Sequence, residues 1–108
     1  MGRVSEMIHE REGKTMICIY AVAKVRPGCR EQFLKAADRL INYSRAEAGN
    51  IKYHLAKESE NRYVFMEFWS GEEAVQQHMK AAHFAEAGKT LESLLEEPLD
   101  IHKMEAVF

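Results

Sequence analysis

Residues 16–25, MICIYAVAKV, carry apolar side chains on both alternating faces, and no other stretch restricts the fold as much. Ile17, Ile19 and Ala21 point one way, while Cys18, Tyr20 and Val22 point the other. A strand of that kind has to be covered on both sides, so it belongs inside a sheet. Pro27-Gly28 then breaks the run. Phe33, Ala36, Ala37, Leu40, Ile41 and Ser44 recur at spacings of three and four, the inner stripe of an amphipathic helix that Gly49-Asn50 ends. Ile51 to Lys57 reads as a second strand, Ser59-Glu60-Asn61 as a polar hairpin turn, and Tyr63 to Trp69 as a third strand.

Ser70-Gly71-Glu72-Glu73 has the spacing of a capping box and predicts a helix directly after the third strand. Ala74, Val75, His78 and Met79 mark its inner face. A further helical stretch from His83 to Glu96 carries Phe84, Ala87, Leu91, Leu94 and Leu95. Pro98 closes it, and Ile101 to Val107 reads as a last strand. The order is β-α-β-β-α-β with the second helix in two pieces. It is an α+β, ferredoxin-like split arrangement, a four-stranded antiparallel sheet with its helices on one face.

Helices on one face leave the other to be explained. Tyr63, Phe65 and Trp69 share a face with Glu67, while Val64, Met66 and Phe68 occupy the opposite one. In the second strand Ile51, Tyr53 and Leu55 alternate with Lys52, His54 and Ala56. An uncovered apolar face of that size is unusual in a soluble chain. A second sheet from an identical chain would cover it, which predicts a homodimer. Either Tyr53 or Phe65 is expected to face the space between the sheets.

Length and charge bound the rest. With 108 residues there is room for one domain, expected over residues 16–108. Residues 1–15 carry charges of both signs without an apolar period and read as a flexible extension. Fifteen basic against seventeen acidic side chains give a net charge of −2, no footprint for nucleic acid or an anionic membrane surface. No apolar run nears the roughly 20 residues that span a bilayer. Cys18 and Cys29 are too few for a disulfide framework, so the expected setting is the reducing cytoplasm.

The chemistry concentrates between Met66 and Phe84. Glu67 interrupts an apolar strand, and an ionised carboxylate buried there costs several kcal/mol unless it is paired or its pKa rises. A solvent-facing edge position is the plainer reading. Trp69 suits a core as well as a flat wall for a ligand. His78 lies on an inner helical stripe, where a satisfied core histidine is the ordinary case, and His83 sits at a junction where a turn role competes. A metal held by His78 and His83 is disfavoured, because five residues along a continuous helix turn the second ring about 140° from the first. Cys29 opens a helix without a partner base and reads as structural.

Taken together, Glu67-Phe-Trp69, then His78 and His83-Phe84, resemble the antibiotic biosynthesis monooxygenase family. Pro27-Gly28 followed by Phe33, and Glu47-Ala48-Gly49-Asn50 before the second strand, fit the same pattern. The resemblance spans roughly residues 16 to 107 and is nearest the small bacterial quinol monooxygenase and autoinducer-2-processing branch. It implies a dimeric α/β barrel that oxidises small phenols or quinols with dioxygen and needs no metal, haem or flavin. His78, His83 or His54 would then supply the base, and Glu67 would set a histidine's tautomer or take a substrate proton. Trp69, Phe65, Tyr20 and Phe84 would line the pocket. Haem-degrading relatives carry a ligand histidine near Gly88 and an asparagine near Ala21, and both departures count against haem. Two alternatives stay open: an isomerase of a phosphorylated autoinducer-2-type ketone, with Arg39, Arg45 and Lys52 as candidate phosphate cations, and a non-catalytic dimeric stress-response module that only binds its ligand.

Overall fold

The computed structural model describes residues 15–108. The extension expected over residues 1–15 lies, but for Thr15, outside the described residues. Seven elements follow in order: β1 (Ile17–Lys24), α1 (Arg30–Arg45), β2 (Asn50–Ser59), β3 (Arg62–Trp69), α2 (Glu72–Lys80), α3 (Ala82–Leu94) and β4 (Asp100–Glu105). The strands form one antiparallel sheet ordered β2-β3-β1-β4. This is the expected ferredoxin-like order, with the doubly apolar β1 in the interior of the sheet.

Register decides which side chains meet the helices. Ile19 and Tyr53 lie opposite Glu67, and Ala21 and Leu55 opposite Phe65. Side chains alternate along a strand, so Ile19, Ala21, Tyr53, Phe65, Glu67 and Trp69 all point to one face. There they pack under Phe33, Leu40 and Ile41 of α1, Val75 of α2 and Leu91 of α3. The expectation that Tyr53 or Phe65 faces outward is therefore corrected, since they are only 2% and 1% exposed on the helix side. The strand pairing is responsible: Tyr53 lies directly opposite Glu67 and Leu55 opposite Phe65, so all four share a face, while the register shift between Asn50 and Lys52 leaves Ile51 at the irregularity and exposed. The outer face instead presents Cys18, Tyr20, Val64, Met66, Phe68 and Met104.

The capping box does not form. Gly71 precedes α2 without a side-chain cap, and the Ser70 N–H donates instead to the Gly49 carbonyl at 2.9 Å. That bond ties the start of α2 to the α1–β2 loop. Gly49 is needed there because a Cβ at this position would stand 2.3 Å from the Ala74 Cβ. Gly49→Ala should accordingly cost about 1–3 kcal/mol, measured as a lower urea midpoint, because two backbones must separate. Among the described residues, no helix is long and apolar enough to cross a membrane.

Candidate functional site

Between the sheet and the helices lies a cavity of about 260 Å³. Its walls are mostly apolar, with Ile19, Leu40, Phe65, Val75, Phe84 and Leu91 among them. Four groups of another kind reach it: Tyr53, Glu67, His78 and Lys103. An apolar chamber with a few convergent polar groups holds and orients a small, flat organic molecule.

Glu67 is 6% exposed, so the edge-position reading fails and the buried carboxylate needs partners. Trp69, two residues on and therefore on the same face, donates from Nε1 to Glu67 Oε1 at 2.9 Å. The Tyr53 hydroxyl lies beside the same carboxylate and also favours its charge. Burial nevertheless outweighs these donors and raises the Glu67 pKa above the ordinary 4.5. Tyr53 is pushed up as well, by burial first and by Glu67 next, so its phenol stays protonated. The folded state thus holds the Glu67 proton more tightly than the unfolded chain does. Its contribution to stability is complete below the ordinary carboxylate value and is lost as pH rises through the raised one. Glu67→Gln removes that dependence. The melting temperature of the variant minus that of the wild type should grow as pH rises above the ordinary carboxylate value of 4.5.

The second cluster depends on a break in the chain. At Ala81 the backbone turns extended (φ −72°, ψ 146°), ending α2 and redirecting α3. His78 and His83, which a continuous helix would separate, come to 6.0 Å between ring centres. Glu47 fills the gap from the loop after α1: its Oε2 lies 2.8 Å from His78 Nδ1 and 2.6 Å from His83 Nε2. Backbone bonds hold that loop, Glu47 N–H to the Ser44 carbonyl and Asn50 N–H to the Glu47 carbonyl. A carboxylate accepts, so each ring donates from the nitrogen that faces it. The His78 tautomer therefore carries its proton on Nδ1. His78 is 2% exposed, and its Nε2 has no hydrogen-bond partner among the described residues. Trp69 (4.5 Å between centres) and Phe84 (5.0 Å) hold the ring in place.

Residues 16–90 match the family described as antibiotic biosynthesis monooxygenase. The chain belongs to that family. It is 40% identical over 92 residues to the Bacillus subtilis (strain 168) protein named "Putative monooxygenase YcnE", covering 83% of this chain and 97% of that one. Among solved structures, a conserved protein from Methanosarcina mazei Go1 superposes with a TM-score of 0.81 at 25% identity, over 83% of this chain and 91% of the other. The Pseudomonas aeruginosa protein PA3566 does so with a TM-score of 0.79 at 25% identity, over 88% and 97%.

Within this member of the family, the residues singled out from sequence divide by sheet face. His78, Glu67, Phe65 and Phe84 line the cavity, and His83 joins His78 through Glu47. Trp69 is 0% exposed and supports Glu67 and His78 from behind rather than forming a wall. Tyr20 and His54 stand on the outer face, Tyr20 stacked on His102 at 4.4 Å and His54 opposite Met66. Strand alternation keeps both away from the cavity of their own chain. Ala21 and Gly88, which count against haem, are both on the lining. Glu47 and Tyr53 are the functional candidates that reading the sequence misses. Glu47 is visible there only as part of a family-like loop stretch, and its role depends on the break at Ala81. That same break removes the geometric objection to a metal, because the objection assumes a continuous helix.

Proposed function

We propose that the protein is a cofactor-independent monooxygenase that uses dioxygen on a small phenol or quinol. One observation carries this reading: His78 has Nδ1 fixed by Glu47 and an unpartnered Nε2 at an apolar cavity. Such a ring is a base with one open lone pair, held where a substrate hydroxyl would lie. Deprotonation turns a phenol into an electron donor strong enough to reduce dioxygen by one electron. The two radicals join as a carbon–peroxide adduct, and loss of water leaves the quinone. The balance is phenol plus dioxygen giving quinone plus water, or quinol plus dioxygen giving hydroxyquinone plus water. Glu67, with its raised pKa, is suited to carry the second proton to the departing oxygen. The surrounding apolar walls keep bulk water from the intermediate.

The isomerase reading has less support. Arg39 pairs with Glu86, Arg45 donates to the Tyr53 carbonyl, and Lys52 stands on the outer face. Lys103 does line the cavity, but it is held by Glu72 at 3.0 Å. Oxygen uptake with a naphthohydroquinone, corrected for autoxidation, tests the proposal: catalysed uptake that yields the hydroxylated naphthoquinone, with its new oxygen from labelled dioxygen and without hydrogen peroxide, supports it. Turnover of a phosphorylated ketone without oxygen uptake would replace it with the isomerase.

The same reading includes a cytoplasmic homodimer closed over the outer sheet face. Tyr20, Met66 and Met104 are exposed there, an apolar patch that water disfavours. Light scattering should give twice 12.4 kDa at micromolar concentration. Met66→Glu should halve that mass without changing the far-ultraviolet circular dichroism. A wild-type monomer would remove the dimer.

A further inference from the structure

We infer that Glu47, His78 and His83 form a binding site for a divalent transition ion of the zinc type, and that its occupancy reverses the proton on the His78 ring. The consequence for turnover rests on the reading of His78 as the base. The donor atoms of the three side chains all lie within 4.8 Å of one another. They come from separate segments, the α1–β2 loop, α2 and α3, and each is held by its own backbone. Two imidazoles and one carboxylate make a nitrogen–oxygen set that suits zinc, cobalt and their neighbours, with a fourth position left for water.

Geometry and access both allow it. Metal–ligand bonds of about 2.0–2.2 Å put tetrahedral donors about 3.3 Å apart. The carboxylate now sits 2.8 and 2.6 Å from the two nitrogens. It would have to retreat by about half an ångström, and the two ring nitrogens, the wide pair in a set that spans up to 4.8 Å, would have to close towards that spacing by rotation of the His83 ring, the less buried of the two. Glu47 also lines a surface depression of about 460 Å³ with Gly49, Ala74 and Gln77, none of which lines the inner cavity. An ion can therefore arrive from solvent without crossing the substrate chamber. Lys80 borders the same depression, but it is exposed and can turn outward.

Binding changes the rings without changing the proton count. Coordination requires the lone pairs of His78 Nδ1 and His83 Nε2, the two nitrogens that now donate to Glu47. The proton of His78 then resides on Nε2 and that of His83 on Nδ1. His78 Nε2 becomes a donor towards the cavity and can no longer accept a substrate proton. The ion is thus an inhibitor that acts from behind the base.

Cobalt(II) titration of the full chain tests the site without reference to activity. The expected result is one tetrahedral ion per chain, seen as visible d–d absorption. Glu47→Gln and His83→Ala each remove a direct ligand, so each should weaken it by at least about 100-fold, the upper end of what loss of an outer partner costs. His102→Ala should leave it unchanged, because the surface His102–Asp100 pair lies elsewhere. No such spectrum at millimolar cobalt, one that survives both site variants, or one lost with His102, overturns the inference. Imidazole nitrogen resonances recorded with zinc should show the His78 proton moved from Nδ1 to Nε2, and a proton left on Nδ1 overturns the coupling. If the ion binds and the proton moves while quinol turnover persists, the inference stands and His78 is not the base. If no ion binds while His78 variants are inactive, the proposed function stands alone.

Discussion

Under the proposed function, His78→Ala should lower kcat/KM for quinol oxidation by about 10²–10⁴-fold, the range a positioned general base supplies. The loss falls mainly on kcat, because the apolar walls that hold the ring of the substrate remain. His78 is buried, so truncation also opens a void. His78→Gln, closer in size, separates lost chemistry from lost packing: a folded, inactive Gln variant identifies the base. Wild-type turnover in a folded variant would end the assignment. Glu47→Gln should reduce the rate in the same direction by a smaller factor. An amide can donate as well as accept, so the His78 tautomer is no longer dictated. Glu47 is a positioning residue on this account, and the nitrogen resonances of His78 report it directly. The variant should show a mixture of ring tautomers, which a merely structural role would leave unmoved.

Trp69→Ala costs about 3–5 kcal/mol from the lost side chain and its void. That is a large share of the about 5–15 kcal/mol by which a domain is stable, so the variant should be marginal at room temperature. The effect has a second source. Trp69 Nε1 is a donor to Glu67, and removing it leaves a buried carboxylate short of a partner. Trp69→Phe isolates that term, keeping most of the bulk while deleting the N–H, and should cost about 1–3 kcal/mol in urea unfolding. It should also push the Glu67 carboxyl pKa higher still, because one of the two donors that oppose burial is gone. A Glu67 titration unchanged in Trp69→Phe would show that the bond does nothing for the carboxylate.

The local periodicities of this chain carry a great deal. Two apolar faces on β1, a period of three and four over Phe33 to Ser44, and alternation from Tyr63 to Trp69 lead to the element order and the sheet. They do so because side-chain burial is what selects each element. The departures fall where a distant segment intervenes. The capping box at Ser70 is a valid local signal, but the Ser70 N–H is taken by the Gly49 carbonyl. Tyr53 looks free to face outward until the pairing of β2 with β3 sets it opposite Glu67. Trp69 and Glu67 could be read singly as core and edge, yet a 2.9 Å bond between them makes one unit.

What the sequence by itself determined is therefore the family, the split β-α-β-β-α-β order and a stretch from Met66 to Phe84 that holds most, though not all, of the candidate site residues. All of these are written in spacing along the chain, which packing then follows. The site was decided only in three dimensions. Glu47 is 31 residues from His78 and 36 from His83, and nothing in local spacing relates them. An extended backbone at Ala81 and a loop that approaches α2 closely enough to need Gly49 bring the three together. A hydrogen bond has to be aligned to within tenths of an ångström, and periodicity places a side chain only to a face. Which nitrogen of His78 is free follows from the carboxylate opposite it, and that neighbour is supplied by the tertiary structure.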